Sequence, residues 1–324
     1  MKNTLTQLAL GCALAATASA EITIEKNEDS LSIMRNGELV TSYRTDQHVP
    51  ALYPLVGPNG TNITRHYPFT EGNDGEEKDH PHHVSFWYTH GLVNGLDFWT
   101  TKHDPDCRIK HLGFGETSTG SLSIGGKSTD TASFSVKLAW NHKDQTLLTE
   151  TRTYTLSAND DSLAIDVRSE ITAPSEKVVF GDTKEGSFAI RFTPSLRLKG
   201  KVAKGHIFNS EGQKDGEVWG KRASWVAYQG PDAGGKDLTV AIFDHPENLR
   251  YPTWWHARDY GLLAANPFGE HDFESHKNKH IGDHTLEKGD TFTQTYRLHV
   301  AKGLQKADEV ATSFQAFSGQ AFKK

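Results

Sequence analysis

The sequence has 324 residues, of which 35% are hydrophobic, so the chain is long enough to bury a substantial core. It carries 35 basic and 41 acidic side chains, a formal net charge of −6 at pH 7, and it has no basic cluster to neutralise phosphates, which argues against nucleic acid as a partner. No apolar run beyond residue 20 approaches the roughly 20 residues of a membrane-spanning helix, so we expect no span.

The chain begins with the features of a secretory signal. Lys2 is followed by an apolar run and by small residues that end at Ala20. This pattern predicts a signal peptide over residues 1–20 and a protein of the periplasm or the extracellular space. The alternative is a lipoprotein anchored through Cys12. Cleavage after residue 20 leaves a single cysteine, Cys107, so we expect no internal disulfide.

Alternating hydrophobic residues predict an all-β protein. Apolar side chains recur at alternate positions in several segments, which are separated by turn residues. The alternating residues are Phe134, Val136, Leu138 and Trp140; Leu163, Ile165 and Val167; Phe188, Ile190 and Phe192; and Phe292, Tyr296, Leu298 and Val300. Helical spacing is clear only between Leu304 and Phe317. We therefore predict one large antiparallel β-sandwich domain over residues 21–324, with a short C-terminal helix that caps an edge or end of it.

A histidine-rich motif, DHPHH, occupies residues 79–83 just before a predicted strand. Alternation along that strand places Trp87 on the same face as His83, opposite a core-facing set. His82 and His83 point apart in an extended chain, whereas His80 and His82 point the same way and could bind one metal ion together. Acid–base chemistry is the functional interpretation of the motif, and hydrogen-bonded packing is the alternative.

Lys184 and Glu185 lie in a glycine-flanked loop, GDTKEG, directly before the strand SFAIRF. An adjacent lysine and glutamate in a loop are often simply solvated. At the mouth of a strand, a glutamate whose pKa is set by burial and by its neighbours suits a general acid or base. We therefore expect Glu185 to transfer protons and Lys184 to stabilise negative charge.

An irregular segment from Asp244 to Gly269 is rich in polar and aromatic residues, among them His245, Arg258 and a pair of tryptophans. Flat indole rings stack on sugar faces, and arginine and asparagine donate hydrogen bonds to hydroxyl or carboxylate groups. The alternative is that the tryptophans fill the core and that Arg258 belongs to a buried ion pair. The composition favours a sugar-binding surface.

Together these segments resemble a family of secreted bacterial proteins labelled "methane oxygenase PmoA". The matching pieces are DHPHH, FWYTHG, NGLDFW, GDTKEGSFAIRF, SWVAYQG, and DHPEN through WWHARDYGLLAANPFG, and they cover most of residues 65–269. The resemblance implies functional positions at Asp79, His80, His82, His83, Asn94, Asp97, Lys184, Glu185, His245, Asn248, Arg258 and Asn266. At the level of the fold, the predicted sandwich is similar to the galactose-mutarotase-like supersandwich, whose enzymes include sugar epimerases, lyases and accessory parts of glycoside hydrolases.

The main hypothesis is a secreted carbohydrate-active enzyme that uses histidine and glutamate for acid–base catalysis. The catalytic candidates are His83, Glu185, His245, Lys184 and Arg258. The candidates for substrate binding are Asp79, His82, Trp87, Asn94, Asp97, Asn248, Trp255, His256, Tyr260 and Asn266.

The type of reaction is open between hydrolysis, elimination and epimerisation. Hydrolysis requires a second carboxylate beside Glu185, for which Asp79, Asp97 and Asp244 are candidates. Elimination or epimerisation requires only a base and an acid, and the abundance of histidine favours these two. No cofactor is predicted. One alternative is a zinc or copper enzyme, such as an oxygenase, with ligands His80, His82 and His245. The other is a non-catalytic sugar-binding module.

Overall fold

The structure is a computed structural model that describes residues 21–73, 75–124 and 127–320. The predicted signal peptide, with Cys12, lies outside the described residues. Among the helices that the structure describes, none is long and apolar enough to cross a membrane.

Strands make up most of the regular structure. In chain order they are β1 (Ile22–Lys26), β2 (Leu31–Arg35), β3 (Glu38–Arg44), β4 (Ala51–Leu55), β5 (Phe86–His90), β6 (Cys107–Ile124), β7 (Lys127–His142), β8 (Gln145–Ala158), β9 (Ser162–Thr172), β10 (Val178–Phe180), β11 (Gly186–Arg191), β12 (His206–Asn209), β13 (Trp225–Pro231), β14 (Asp237–Asp244), β15 (Trp254–Ala257), β16 (Leu262–Asn266), β17 (His284–Leu286) and β18 (Thr291–Lys302). The helical segments are the 3-10 helices Pro194–Leu196 and Asp215–Val218 and the α-helices α1 (Glu270–Phe273) and α2 (Ala307–Ser318). The predicted all-β class with a short C-terminal helix is confirmed.

Within the described residues, two eight-stranded antiparallel sheets form the sandwich. The first sheet has the strand order β1-β2-β3-β4-β5-β11-β16-β15. The second sheet has the order β12-β13-β14-β18-β9-β8-β7-β6. Strands β10 and β17 pair separately. The long strands β6 to β9 follow one another in the chain and in the sheet, and each pairs antiparallel with the next.

The hydrophobic core lies between the two sheets. Phe188 of β11 stacks on Tyr296 of β18, with 4.6 Å between ring centroids. Tyr88 of β5 meets Trp140 of β7 edge-on at 6.2 Å. Such large aromatic side chains bury the most apolar area per residue and contribute strongly to folding. The strands predicted from alternation at β7, β9, β11 and β18 are confirmed.

Helix α2 covers the outer face of the second sheet. Val310 and Phe317 of the helix pack on Trp225 and Phe243 of β13 and β14, and all four side chains are buried. We had expected the helix at an edge or end of the sandwich. The difference arises because β13 and β14 are apolar on both faces, so the outer face also requires a cover.

The outer face of the first sheet carries the residues on which the site is built. Trp87, Ala189, Ala264 and His256 are cross-strand partners on β5, β11, β16 and β15, so their side chains share one face. The two alanines form a flat centre, and the tryptophan and the histidine flank it. Residues of β5 and β11 are buried on both faces, because loops fold over this side of the sheet.

Candidate active site

In the DHPHH motif, Asp79 pairs with His80 and also binds two buried arginines. Asp79 Oδ1 accepts hydrogen bonds from Arg65 at 2.6 Å and from Arg191 at 3.0 Å, and Asp79 Oδ2 lies 2.6 Å from His80 Nδ1. Burial opposes ionisation of Asp79, but the His80 hydrogen bond and the two guanidinium charges outweigh it and hold the pKa of this carboxyl well below its usual range. The ionised Asp79 therefore orients His80, whose side chain is 41% exposed, with Nδ1 as its donor and Nε2 as the remaining acceptor.

The other two histidines of the motif pack inside the cluster. The His83 ring stacks on His80 at 4.8 Å, and His82 meets His83 edge-on at 4.5 Å. Arg191 donates to His83 Nδ1 at 3.0 Å. Burial, followed by the charges of His82 and Arg191, lowers the pKa of His83 well below its usual value. Burial and the charge of His80 lower the pKa of His82 to about 3. Both rings are therefore neutral near pH 7, and His83, predicted to be catalytic, is buried with its Nδ1 taken by Arg191.

The loop that carries Lys184 and Glu185 is fastened on both sides. The Gly91 amide donates to the Glu185 carbonyl at 2.7 Å, and the Lys184 amide donates to Asp272 Oδ2 at 2.8 Å. His90 Nε2 donates to the carbonyl of Gly181, the first residue of the loop, at 2.8 Å. His90, the last residue of β5, thus connects this strand to the loop that carries Glu185.

The Glu185 side chain is 35% exposed and carries a raised pKa. Burial is the main cause, the Lys184 charge opposes it, and the charges of Asp97 and Asp272 add to it. A carboxyl group that holds its proton more tightly than a free glutamate is suited to general acid catalysis. The charge of His80 also acts on the Glu185 pKa, which places the histidine motif and the glutamate loop in one electrostatic cluster.

The turn between β15 and β16 closes the cluster. The Arg258 amide donates to the Leu262 carbonyl at 2.8 Å, and the Tyr228 hydroxyl donates to the Arg258 carbonyl at 2.9 Å, so the turn is rigidly anchored. The Tyr260 ring stacks on His80 at 5.2 Å, and the Arg258 guanidinium lies 5.3 Å from the Tyr260 centroid.

Burial raises the pKa of Tyr260, the charges of Arg258 and Arg191 lower it, and Glu185 raises it. Tyr260 therefore interacts with both segments: the Glu185 charge acts on its pKa, and its ring stacks on His80. We define the polar cluster as the group formed where these three segments meet. Its members are Asp79, His80, His82, Lys184, Glu185, His256, Arg258 and Tyr260.

His256 is the inner member of the polar cluster. It lies on the outer face of the first sheet, and its Nδ1 donates to the Lys184 carbonyl at 3.0 Å. Burial and the Arg258 charge lower its pKa to about 3. A neutral His256 thus holds the base of the glutamate loop in place, and its Nε2 is an acceptor.

His245 does not join the polar cluster, contrary to the prediction. Its amide donates to the Thr295 carbonyl at 3.3 Å, which continues the β14–β18 ladder of the second sheet. Its ring meets Phe317 of α2 at 5.2 Å. A residue at the end of the second sheet, facing the C-terminal helix, cannot exchange protons with His83 or Glu185 on the outer face of the first sheet.

Three predicted asparagines serve the backbone instead of a ligand. Asn248 donates to Asp244 Oδ1 and to the Thr295 carbonyl and accepts from the Thr295 amide. Asn266 donates to the Thr183 carbonyl and accepts from the Phe268 amide. Asn94 accepts from the Val179 amide in an exposed turn. Their side-chain hydrogen bonds are used within the protein, so the prediction that they bind substrate is not supported by their geometry.

Asp97 is likewise engaged by its own loop, because Oδ1 accepts from the amides of Trp99 and Thr100 at 2.9 Å each. Trp87 and Trp255, predicted to stack on sugar, are 2% and 0% exposed. Trp255 faces the core and donates to the Ala223 carbonyl at 2.9 Å. Neither indole offers a face to a ligand.

Several contributors to the site were missed from the sequence. Arg65 and Arg191 support the Asp79–His80 pair, and an arginine in an apolar strand such as SFAIRF could have signalled a buried ion pair. Trp219 lies 6.5 Å from His256 between ring centroids, and among the described residues its buried Nε1 has no hydrogen-bond acceptor. No sequence pattern distinguished Trp219.

No metal site is formed by the part of the chain that the structure describes, since no group of three or more histidine, cysteine, aspartate or glutamate side chains has suitable geometry. The rings of His80 and His82 lie 5.6 Å apart, but His245 lies at the end of the second sheet. The three ligands proposed for zinc or copper are therefore not brought together.

The sequence matches the profile of DUF6807, a family of unknown function, over residues 30–315. Nothing in this match supports the methane oxygenase label. No curated protein matches the sequence.

Several solved structures are similar at low identity. A β-arabinopyranosidase is 10% identical, with 88% of this chain and 38% of that chain covered and a TM-score of 0.39. A glycoside hydrolase family 97 enzyme in complex with acarbose, from Pseudoalteromonas sp. strain K8, is 12% identical, with coverage of 88% and 34% and a TM-score of 0.36. An Escherichia coli K12 protein described as a candidate aldose 1-epimerase is 10% identical, with coverage of 88% and 100% and a TM-score of 0.27. The chain thus spans little more than a third of the two glycosidases, and TM-scores this low imply no shared activity.

Proposed function

We propose that this chain, which belongs to DUF6807, a family of unknown function, is a carbohydrate-active enzyme that acts by proton transfer between His80, Glu185 and a sugar. The observation that carries the proposal is the meeting of an oriented histidine and a glutamate of raised pKa beside Tyr260. A base and an acid at one partly exposed site are the minimum for elimination or epimerisation.

In this mechanism His80 Nε2 accepts a proton from the sugar, because the ionised Asp79 stabilises the imidazolium that forms. The Glu185 carboxyl donates a proton to the departing or newly formed oxygen. Arg258, whose guanidinium lies 5.3 Å from the Tyr260 centroid, and Lys184 stabilise developing negative charge.

Hydrolysis is the less suitable reaction, because none of the three aspartates considered as partners for Glu185, namely Asp79, Asp97 and Asp244, is available to act with it. Asp79 is occupied by two arginines and His80. Asp97 caps the backbone of its own loop. Asp244 is completely buried in the second sheet, where Asn248 and the Thr253 amide donate to it. Elimination or epimerisation therefore fits the site better than the paired-acid chemistry of glycosidases.

The aromatic residues beside the polar cluster support a sugar as the substrate class. Tyr260 and Trp219 are partly exposed aromatic side chains at the two sides of His256 and Arg258, and aromatic faces beside charged hydrogen-bond donors are typical of sugar sites. The predicted signal peptide supports a location outside the cytoplasm, where polymeric glycans are encountered.

The test is turnover of a glycan panel by His80→Ala and Glu185→Gln variants. Each change removes a proton-transfer group and should lower kcat by about 100-fold or more. The matched controls are His206→Ala, an exposed histidine 3.6 Å from Asp215 on β12, and Glu170→Gln, an exposed glutamate 3.2 Å from Arg168 on β9. Both controls should retain the activity of the parent. Full activity in both site variants, or glycan binding without any product in the parent protein, would contradict the proposal.

A further inference from the structure

We infer that the substrate carries a carboxylate group, which Arg258 and Lys184 bind, and that it is a uronic acid sugar cleaved by elimination. The inference rests on the proposed function and adds the charge of the substrate and the bond that breaks. It depends on a half-buried arginine that the protein leaves without a counter-ion.

Arg258 differs from the other arginines around the site. Arg65 and Arg191 share Asp79, and Arg197 pairs with Glu77. For Arg258, by contrast, no carboxylate or other hydrogen-bond acceptor among the described residues pairs with the guanidinium, which lies 5.3 Å from the centroid of the Tyr260 ring. A guanidinium has five N–H donors, and those of the half-buried Arg258 remain available to water or to a ligand.

The position of Arg258 directs this unused charge into the polar cluster. Arg258 directly follows β15, two residues after His256, and its guanidinium lies 5.3 Å from the centroid of the Tyr260 ring. The charge of Arg258 acts directly on the pKa of both His256 and Tyr260. The arginine is therefore close to the groups that line the site, and its main chain is fixed by the β15–β16 turn.

Lys184 supplies a second positive charge on the same side of the cluster. Its carbonyl binds His256, and its charge also acts on the His256 pKa. The nearest carboxylate to Lys184 Nζ is Glu185 Oε1, at 3.7 Å. When Glu185 is protonated for catalysis, that partner is lost and the ammonium group is free to bind a substrate anion.

The acidic groups around this pair are otherwise engaged. Asp272 accepts from the Lys184 amide at 2.8 Å, and Asp259 is exposed and lies 3.9 Å from Lys199 Nζ. Two cations and a protonatable glutamate thus belong to the polar cluster, since the Arg258 and Lys184 charges both act on His256 and Lys184 Nζ lies 3.7 Å from Glu185 Oε1. A carboxylate is the sugar substituent that matches a planar guanidinium, because both oxygens can accept parallel N–H donors.

A bound carboxylate also explains how the chemistry could proceed. In a 4-linked uronate, the C5 proton is acidified by the adjacent carboxylate once Arg258 and Lys184 neutralise it. His80 Nε2 takes the C5 proton, the C5–H electron pair forms the C4=C5 double bond, and the C4–O4 bond breaks. The leaving O4 takes the proton of Glu185. The products are an unsaturated uronate and a free hydroxyl on the neighbouring sugar, with no change in the total number of atoms.

The first experiment measures binding, independently of turnover. Glucuronate, galacturonate, mannuronate and iduronate glycosides are compared with their methyl esters by calorimetry or saturation-transfer NMR. The acid form of at least one of them should bind 10-fold or more tightly than its ester. Arg258→Met should abolish this preference, and Arg258→Lys should restore part of it. Arg108→Met is the matched control, because Arg108 is an exposed arginine on β6 of the second sheet, and it should keep the preference. Circular dichroism and thermal melts show whether each variant is folded.

A second experiment separates the inference from the proposed function. Turnover of uronate-containing and neutral glycans is followed by the absorbance of the conjugated double bond and by reducing ends. New double bonds from uronates, lost in Arg258→Met, support the inference. Equal binding of every acid and its ester, or turnover of neutral glycans that Arg258→Met leaves unchanged, overturns the inference while the proton-transfer proposal stands. Preferential binding of the acid together with a lack of turnover contradicts the proposed function alone.

Discussion

Replacing Asp79 with asparagine tests the electrostatic arrangement under the polar cluster. The carboxylate accepts from Arg65, Arg191 and His80. Arg65 and Arg191 have side chains that are 2% and 0% exposed, whereas Asp79 is 36% exposed. The substitution keeps the size of the side chain but removes its charge, so two buried guanidinium groups lose their counter-ion.

The expected loss of stability follows from the contacts that remain. Breaking a fully buried ion pair costs about 3–5 kcal/mol. Arg65 keeps several carbonyl acceptors, among them those of Tyr67 and His80, and the exposure of Asp79 weakens its interactions through solvent screening. We therefore expect the free energy of unfolding to fall by about 2–3 kcal/mol. For a chain of this length, that corresponds to a decrease in Tm of about 3–5 °C.

The effect should depend on pH in a defined direction. The pKa of Asp79 is depressed in the folded protein, because the His80 hydrogen bond and the arginine charges outweigh burial. Its stabilisation is therefore complete above the unfolded pKa of about 3.9, and it is lost as the pH falls toward the folded value. Burial and the neighbouring Arg191 charge lower the pKa of Arg65 to about 10, so the arginines stay charged across this range.

Urea denaturation of the parent and Asp79→Asn proteins at pH 7, 5, 4 and 3 measures this effect. The difference in unfolding free energy should be full at pH 7 and 5 and should narrow below about pH 4. Asp46→Asn is the matched control, because Asp46 pairs with Arg44 at 2.8 Å and both side chains are exposed; its effect should stay within about 1 kcal/mol. A loss at pH 7 no larger than that of the control, or a difference that widens in acid, would refute the reasoning.

Two further changes test the assignments of scaffold and site residues. Asn248→Ala removes three hydrogen bonds to Asp244 and Thr295 and should lower the free energy of unfolding, measured by denaturation, by about 2–4 kcal/mol. The kcat of the folded variant should be unchanged. A lower kcat would show that Asn248 does contribute to the active site. Gly91→Ala places a Cβ 2.7 Å from the Glu185 carbonyl and should lower kcat about 10-fold or more, whereas Gly216→Ala, with no atom within 4 Å of the added Cβ, should not. Equal kcat values for both glycine variants would show that the Glu185 loop is not held through Gly91.

The sequence contains enough information for the strands but not for their partners. Alternation located β7, β9, β11 and β18, because each residue that faces the core reports its own environment. The neighbours of a strand in the sheet depend on interactions between residues distant in sequence. His245 was grouped with His83 for this reason, although β14 belongs to the second sheet and β5 to the first.

The direction of individual side chains was equally hard to predict in short strands. β15 has four residues, all buried, so its sequence WWHA shows no alternation from which a face could be chosen. In the structure Trp255 faces the core, whereas His256 faces the polar cluster. The roles of the asparagines could not be predicted for a different physical reason. A side-chain amide that completes a backbone ladder has the same sequence signature as one that binds a ligand.

The crowding of histidines in the DHPHH motif and in the following strand β5 is explained by burial. Burial lowers the pKa of His82 to about 3, that of His83 well below its usual value and that of His90 to about 4. These rings therefore stay neutral and act as hydrogen-bonding and stacking elements. His80 is the exposed member, and it is the one that an ionised aspartate orients.

Two neutral imidazoles, those of His82 and His83, thus contact the ring of His80. The Asp79 carboxylate, the His83 ring and the Tyr260 ring contact His80 from different sides. Such contacts restrict the rotation of the imidazole and fix the direction of Nε2, which is what a base must have before its substrate arrives. In the proposed mechanism the other histidines of the motif hold the ring of His80, so a change at His83 should act on catalysis through the position of His80.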